Sequence, residues 1–273
     1  CSLKIAIVSG EGLSHCAGDA GVLVHTAAAL VAAGAEVRLV APWTPGDGPA
    51  EIAERCGVAA RFDLRRVPGW PASRRAPSAG LLQGAIAPWL ESVRDADVVH
   101  ARHLGPALGA HLAGLPWSFE TGRRLAVEAP WLPRLAGRVD LERAVGAVAD
   151  SRACAEDLVR LGFSASAVIT ARPGVLLERF TPPLDPREAR ERACLDVAGP
   201  VVGYAGDPGR FGGTRELLDA AVHLPEATFL VVGGDPQKLA RLEEAARARG
   251  LDNLLFAGRG PAGELARYLL AAD

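Results

Sequence analysis

The residues best suited to chemistry stand beside glycine-rich turns. Four glycines and His15 fall between Ser9 and Gly21, directly after the apolar run Ile5-Ala-Ile-Val8. Within that loop Gly18-Asp-Ala-Gly21 opens a helical stretch. Glycine lets the backbone close in on an anion, and the unpaired N–H groups at a helix start favour phosphate. A bare strand-to-helix turn uses the same glycines, but a place at the carboxyl end of a first parallel strand favours a ligand. Asp19 would repel a phosphate, so it is read as facing a sugar hydroxyl. Glu120, just past Trp117-Ser-Phe119, is a carboxylate able to orient a hydroxyl, although solvated loop carboxylates are commoner. His15, His100 and His103 sit at strand ends or in loops, where site residues gather. His15 is preferred among them because it shares the glycine loop. No DxD carboxylate pair lies in a plausible loop, and no His/Cys/Asp cluster has ligand spacing, so neither metal nor cofactor is expected. A GxSxG nucleophile elbow is missing too.

Two blocks of the same grammar must position these residues. In the first, Ile5–Val8, the glycine loop, an Ala-rich helix over Val22 to Ala33, Gly34 and the strand Glu36–Val40 make a βαβ unit. Such units build parallel sheets with right-handed crossovers. Further strands are predicted at Ala96–His100, Trp117–Phe119, Val145–Val148 and Val168–Thr170, with helices over Pro106 to Gly114 and, capped by Asp150-Ser151, over Arg152 to Leu161. The Pro-, Gly- and Arg-rich stretch Pro42 to Pro88 reads as loops and short helices. Three prolines between Thr181 and Pro186 mark a linker. The second block runs through strand Pro200–Ala205, loop Gly206–Gly213, helix Thr214–Val222 and strand Ala227–Val232. Gly233-Gly, the charged helix Gln237–Arg249, strand Asn253–Ala257 and a last helix Glu264–Ala272 follow.

With 273 residues the chain is long enough for two domains. Thirty basic against thirty-two acidic side chains leave a net charge of −2, which offers no global field for nucleic acid. No apolar run approaches the roughly 20 residues of a membrane-spanning helix. Peripheral membrane contact stays open. Five scattered cysteines without a CxxC pair argue against a disulfide framework and for the cytoplasm.

Read in order, several phrases resemble the retaining glycosyltransferases of the GT-B fold, glycosyltransferase family 4, which includes glycogen synthase-like and mannosyltransferase-like enzymes. They are Gly18-Asp-Ala-Gly-Val22, Ala149-Asp-Ser-Arg152, Arg172-Pro-Gly-Val175, Val202-Gly-Tyr-Ala-Gly206, Gly213-Thr-Arg-Glu216, Leu230-Val-Val-Gly-Gly-Asp-Pro236, Phe256-Ala-Gly-Arg259 and Glu264–Asp273. The resemblance is strongest from Ala149 onward. It implies an α/β protein of two Rossmann-like doubly wound parallel-sheet domains. These are an acceptor-side domain over 1–180, a linker region over 181–199 and an incomplete donor domain over 200–273.

The resemblance further implies transfer of a hexose from a UDP-, GDP- or ADP-linked sugar to a hydroxyl acceptor, with retention. Gly18, Asp19, Gly21, Gly206, Arg210, Gly233 and Arg259 would serve the donor, and Glu120 and His15 catalysis. The family places an Arg directly after the glycine matching Gly206 and a Lys directly before the one matching Gly213. Here those positions hold Asp207 and Gly212. Arg210, on the same loop, is the candidate replacement. The family's His after the strand Trp117–Phe119 falls on Thr121 or Gly122. Its paired-glutamate segment would begin shortly after Asp273, so these 273 residues alone are expected to lack turnover. A degenerate relative that binds without turnover is the alternative, followed by a nucleotide-sugar epimerase of the same fold.

Overall fold

The computed structural model describes residues 2–10, 12–13, 18–42, 48–58, 61–68, 88–102, 104–122, 141, 144–197, 199–206, 208, 212–258 and 262–273. They divide into two compact units, Cys1–Gly174 and Val175–Asp273.

The first unit is a seven-stranded sheet in the order β3-β2-β1-β4-β5-β6-β7, every neighbouring pair parallel. Its strands are β1 (Lys4–Val8), β2 (Glu36–Pro42), β3 (Asp63–Val67), β4 (Val98–Ala101), β5 (Trp117–Thr121), β6 (Ala144–Ala149) and β7 (Val168–Thr170). Helices α1 (Gly18–Ala32), α2 (Pro49–Cys56), α3 (Leu104–Leu112) and α4 (Arg152–Arg160) connect them. Side chains along a strand alternate between faces, so β1 and β2 each feed two cores. Ala6 and Val8 of β1 join Val40, Val99, Phe119 and Leu158 in one, while Ile7 joins Leu39, Leu23, Val24 and Ile52 in the other. Apolar packing on both faces is what an all-parallel sheet requires.

Three local readings change. The first helix begins at Gly18, so Gly18–Gly21 forms its opening turn rather than a loop before it; Ala20 already packs into the core with Leu23. The stretch Pro42 to Pro88 contains a helix, α2, and also a strand, β3. β3 escaped notice because it is an edge strand reading Asp-Leu-Arg-Arg-Val, with only Val67 fully buried. Arg38 of β2 fastens it through Asp63 at 3.1 Å. Finally, Cys56 is disulfide-bonded, whereas Cys154 and Cys194 are free. Isolated cysteines carry no spacing signal for such a bridge.

The second unit holds β8 (Val201–Ala205), β9 (Thr228–Val232) and β10 (Leu254–Gly258), parallel in the order β10-β9-β8. Helices α5 (Pro186–Arg192), α6 (Thr214–His223), α7 (Pro236–Ala248) and α8 (Ala262–Leu270) accompany them. Phe229 and Val231 pack with Leu217, Leu218 and Leu242 on one face. Leu230 and Val232 pack with Ala189 and Ala271 on the other. The segment 181–199 thus enters this core through α5, whose Ala189 is fully buried. Arg190 fastens α5 to the chain end, donating to Ala271 O at 2.9 Å, Gly199 O at 3.3 Å and Asp273 Oδ2 at 2.6 Å.

Candidate functional site

Ligands of an open parallel sheet bind beyond the carboxyl ends of its strands, near the point where strand order reverses. In the first unit that point lies between β1 and β4, and the first turn of α1 follows β1 there. Buried polar side chains gather at the same sheet edge, on β4 and β5. Register pairs His100 with Ile7 on one side and Ser118 on the other. Strand alternation then places Ser118 and Glu120 on the face opposite Trp117 and Phe119, which fill the core.

Glu120 is held at both oxygens. Arg102, just past β4, donates from Nη1 to Oε1, and His100 Nε2 lies 3.0 Å from Oε2. The other imidazole nitrogen, Nδ1, lies 2.9 Å from Ser118 Oγ. The side chains of Arg102, His100 and Glu120 are only 9%, 11% and 15% exposed. Charges so far from water persist when paired and hydrogen-bonded, as here. Asp150, one residue past β6, closes the group: a methyl at Gly122 would lie 2.5 Å from Asp150 Oδ2 and 3.3 Å from Arg102 Nη2. A carboxylate is an acceptor, able to take a hydroxyl by its proton.

The second unit presents backbone at the equivalent edge. Gly206 follows β8 and Gly233 follows β9; a Cβ on Gly233 would lie 3.3 Å from Gly206 O, so the two turns nearly touch. Gly233 has φ +89° and donates to Gly258 O at 2.8 Å. Tyr204 Oη donates to Gly212 O at 2.9 Å, just ahead of α6. The group His/Cys/Asp/Glu forms no metal-sized cluster among the described residues, and no helix described is long and apolar enough to cross a membrane.

Of the residues singled out in the sequence, Glu120 sits in the polar group just described, Gly21 is buried in the first turn of α1, and Gly206 and Gly233 adjoin each other. Gly18 and Asp19 open α1, with only their backbone described. His15, Arg210 and Arg259 lie outside the described residues. Sequence reading ranked His100 below His15 and passed over Arg102, Ser118 and Asp150. The alternation His100-x-Arg102 at a strand end, set beside Ser118-x-Glu120 on the next strand, is the signal that would have found them.

A family model described as Glycosyltransferase Family 4 matches residues 18–179. The chain belongs to glycosyltransferase family 4. Among its relatives, a D-inositol 3-phosphate glycosyltransferase from Xylanimonas cellulosilytica is 35% identical over 203 residues, covering 65% of this chain and 48% of the relative. The chain spans about half the length of that curated relative. The structure of Anabaena Alr3699/HepE in complex with UDP and glucose superposes with a TM-score of 0.74 at 20% identity, covering 99% of this chain and 73% of the other. Sucrose-phosphate synthase from Thermosynechococcus elongatus gives 0.71 at 20% identity, covering 99% and 74%. At these identities the two structures establish the fold, two Rossmann-like units of the GT-B type.

Proposed function

We propose that this family 4 chain serves a glycosyltransferase that moves a hexose from a nucleotide diphosphate sugar to an acceptor hydroxyl with retention. The observation that carries the reading is the Glu120 carboxylate, half-buried and held by Arg102 and His100 near the point where the strand order of a parallel sheet reverses. In this role Glu120 accepts a hydrogen bond from the acceptor hydroxyl and fixes its oxygen for attack. His15, on the loop before α1, would act beside it, and the opening turn with Gly18, Asp19 and Gly21 would approach a phosphate or a sugar hydroxyl. Gly206 and Gly233 would let the diphosphate approach backbone, with Arg210 and Arg259 supplying positive charge to the leaving nucleotide. UDP-, GDP- and ADP-sugars are the donors considered, no metal or cofactor is called for, and the cytoplasm is the proposed compartment. The names of the relatives, one a glycosyltransferase and one bound to UDP and glucose, support a nucleotide-sugar donor.

Asp207 and Gly212, where the family carries Arg and Lys, support a second reading, a protein that binds nucleotide without turnover. Nucleotide release from a panel of UDP-, GDP- and ADP-sugars separates the two, measured on this chain and on a form extended to its relatives' length. The extended form is expected to turn over one donor class, and Glu120→Gln to slow it about 10²–10³-fold. Full activity of Glu120→Gln would remove Glu120 from the chemistry. Nucleotide binding without release from any donor would establish the binder.

A further inference from the structure

We propose that Ser118 and His100 form a positioning relay that fixes the Glu120 carboxylate through a single imidazole tautomer. The idea rests on Glu120 being the acceptor-side carboxylate, but its first readout needs no turnover. A carboxylate only accepts hydrogen bonds, so the His100 nitrogen 3.0 Å from Oε2 must carry the proton. In the neutral ring His100 is then the Nε2–H tautomer. Its Nδ1 is then an acceptor, and the group 2.9 Å away is the Ser118 hydroxyl, which can turn its proton inward. The chain of donors runs one way, Ser118 to His100 to Glu120. Arg102, which has donors only, closes it at the other carboxylate oxygen. Ser118, His100 and Glu120 sit on adjacent parallel strands in fixed register, and Arg102 follows the end of β4. The Glu120 rotamer is thus pinned from both oxygens.

The relay makes an uncommon demand on Glu120→Gln. Arg102 requires the amide oxygen of the substituted side chain, which turns the NH₂ group toward His100 Nε2. That nitrogen must then accept, and the ring proton must move to Nδ1 and be donated to Ser118. Nitrogen-15 NMR of imidazole-labelled protein, with His100 identified by its absence in His100→Gln, is expected to show Nε2–H in the parent and Nδ1–H in Glu120→Gln. An Nδ1–H or doubly protonated ring in the parent, or an unchanged tautomer in the variant, would overturn the relay. Ser118→Ala provides an independent check. It should speed solvent exchange of the Nε2 proton, and Ser118→Thr, which keeps the hydroxyl, should restore the slow rate. Equal exchange in all three would refute the part given to Ser118. In the extended protein Ser118→Ala is expected to lower kcat several-fold with KM little changed, and Ser118→Thr to recover it. A tautomer switch in an extended protein that releases nucleotide from no donor would leave the relay standing and sink the transferase reading alone.

Discussion

Two glycines show how differently a single methyl group can act. At Gly122 the obstacle to a Cβ is the tip of the Asp150 carboxylate and one Arg102 nitrogen, both ends of side chains able to swing away. At Gly234 the obstacle is the Pro208 ring, 2.4 Å from the Cβ position, and the backbone has φ +92°, a conformation L residues seldom adopt. Gly234→Ala is therefore expected to cost about 3 kcal/mol, from backbone strain and overpacking together. Gly122→Ala should cost under about 1 kcal/mol, because the Asp150 carboxylate can swing aside and Arg102 need move little. Urea unfolding of both variants measures the contrast, and equal losses would contradict it. Cysteine chemistry follows the same logic of surroundings: burial pushes the Cys154 thiol above its usual range, while Cys194 is exposed. Of these two thiols, Cys194 is thus the one that alkylating reagents should reach first.

At the scale of elements, α5 and the chain end depend on one guanidinium and one carboxylate. The Val201 N–H, and next the Arg190 guanidinium, hold the Asp273 carboxyl below the usual carboxylate range. A carboxyl depressed in the folded state adds stability at pH values above its unfolded value, near 4, and loses that contribution as pH falls through the folded value. Asp273→Asn should therefore be less stable than the parent at pH 7, with the two curves converging below about pH 4. A gap that persisted in acid would point to packing instead. Elements of this kind were unevenly legible in the sequence. Helix α4 was plain because Ser151 caps it, its Oγ accepting from Cys154 N, and Gly162 ends it with φ +109°. β3 and α5 were not, since one is a charged edge strand and the other spans seven residues with a single buried alanine. The candidate site was half legible. Glu120 and His100 stood out by residue type, but their meeting depends on strand register, which no local pattern encodes.

For the whole molecule, the division at Gly174/Val175 has a direct test. Residues 171–177 are nearly all exposed, Val175 and Leu177 among them, and the segment between β7 and the turn at Leu177–Phe180 has no regular structure. Thermolysin, which cuts before apolar residues, is expected to cleave first near Val175 to Leu177 and to leave two resistant fragments. First cleavage inside β8–β9 would contradict the division.

The order of strands in the first sheet also bears on how that sheet is made. β1 lies against β4, so Ile5 must find Val98 across about half of the unit, whereas His100 and Glu120 are 20 residues apart. Closing the longer loop costs about 1.4 kcal/mol more in chain entropy than closing the shorter one. The β4–α3–β5 crossover carries His100, Arg102, Ser118 and Glu120 together, and it can assemble early, before the amino-terminal strand is captured. The slow step in forming this unit would then be the arrival of β1 and its helix, and a refolding chain would possess its carboxylate clamp before it possessed the opening turn of α1.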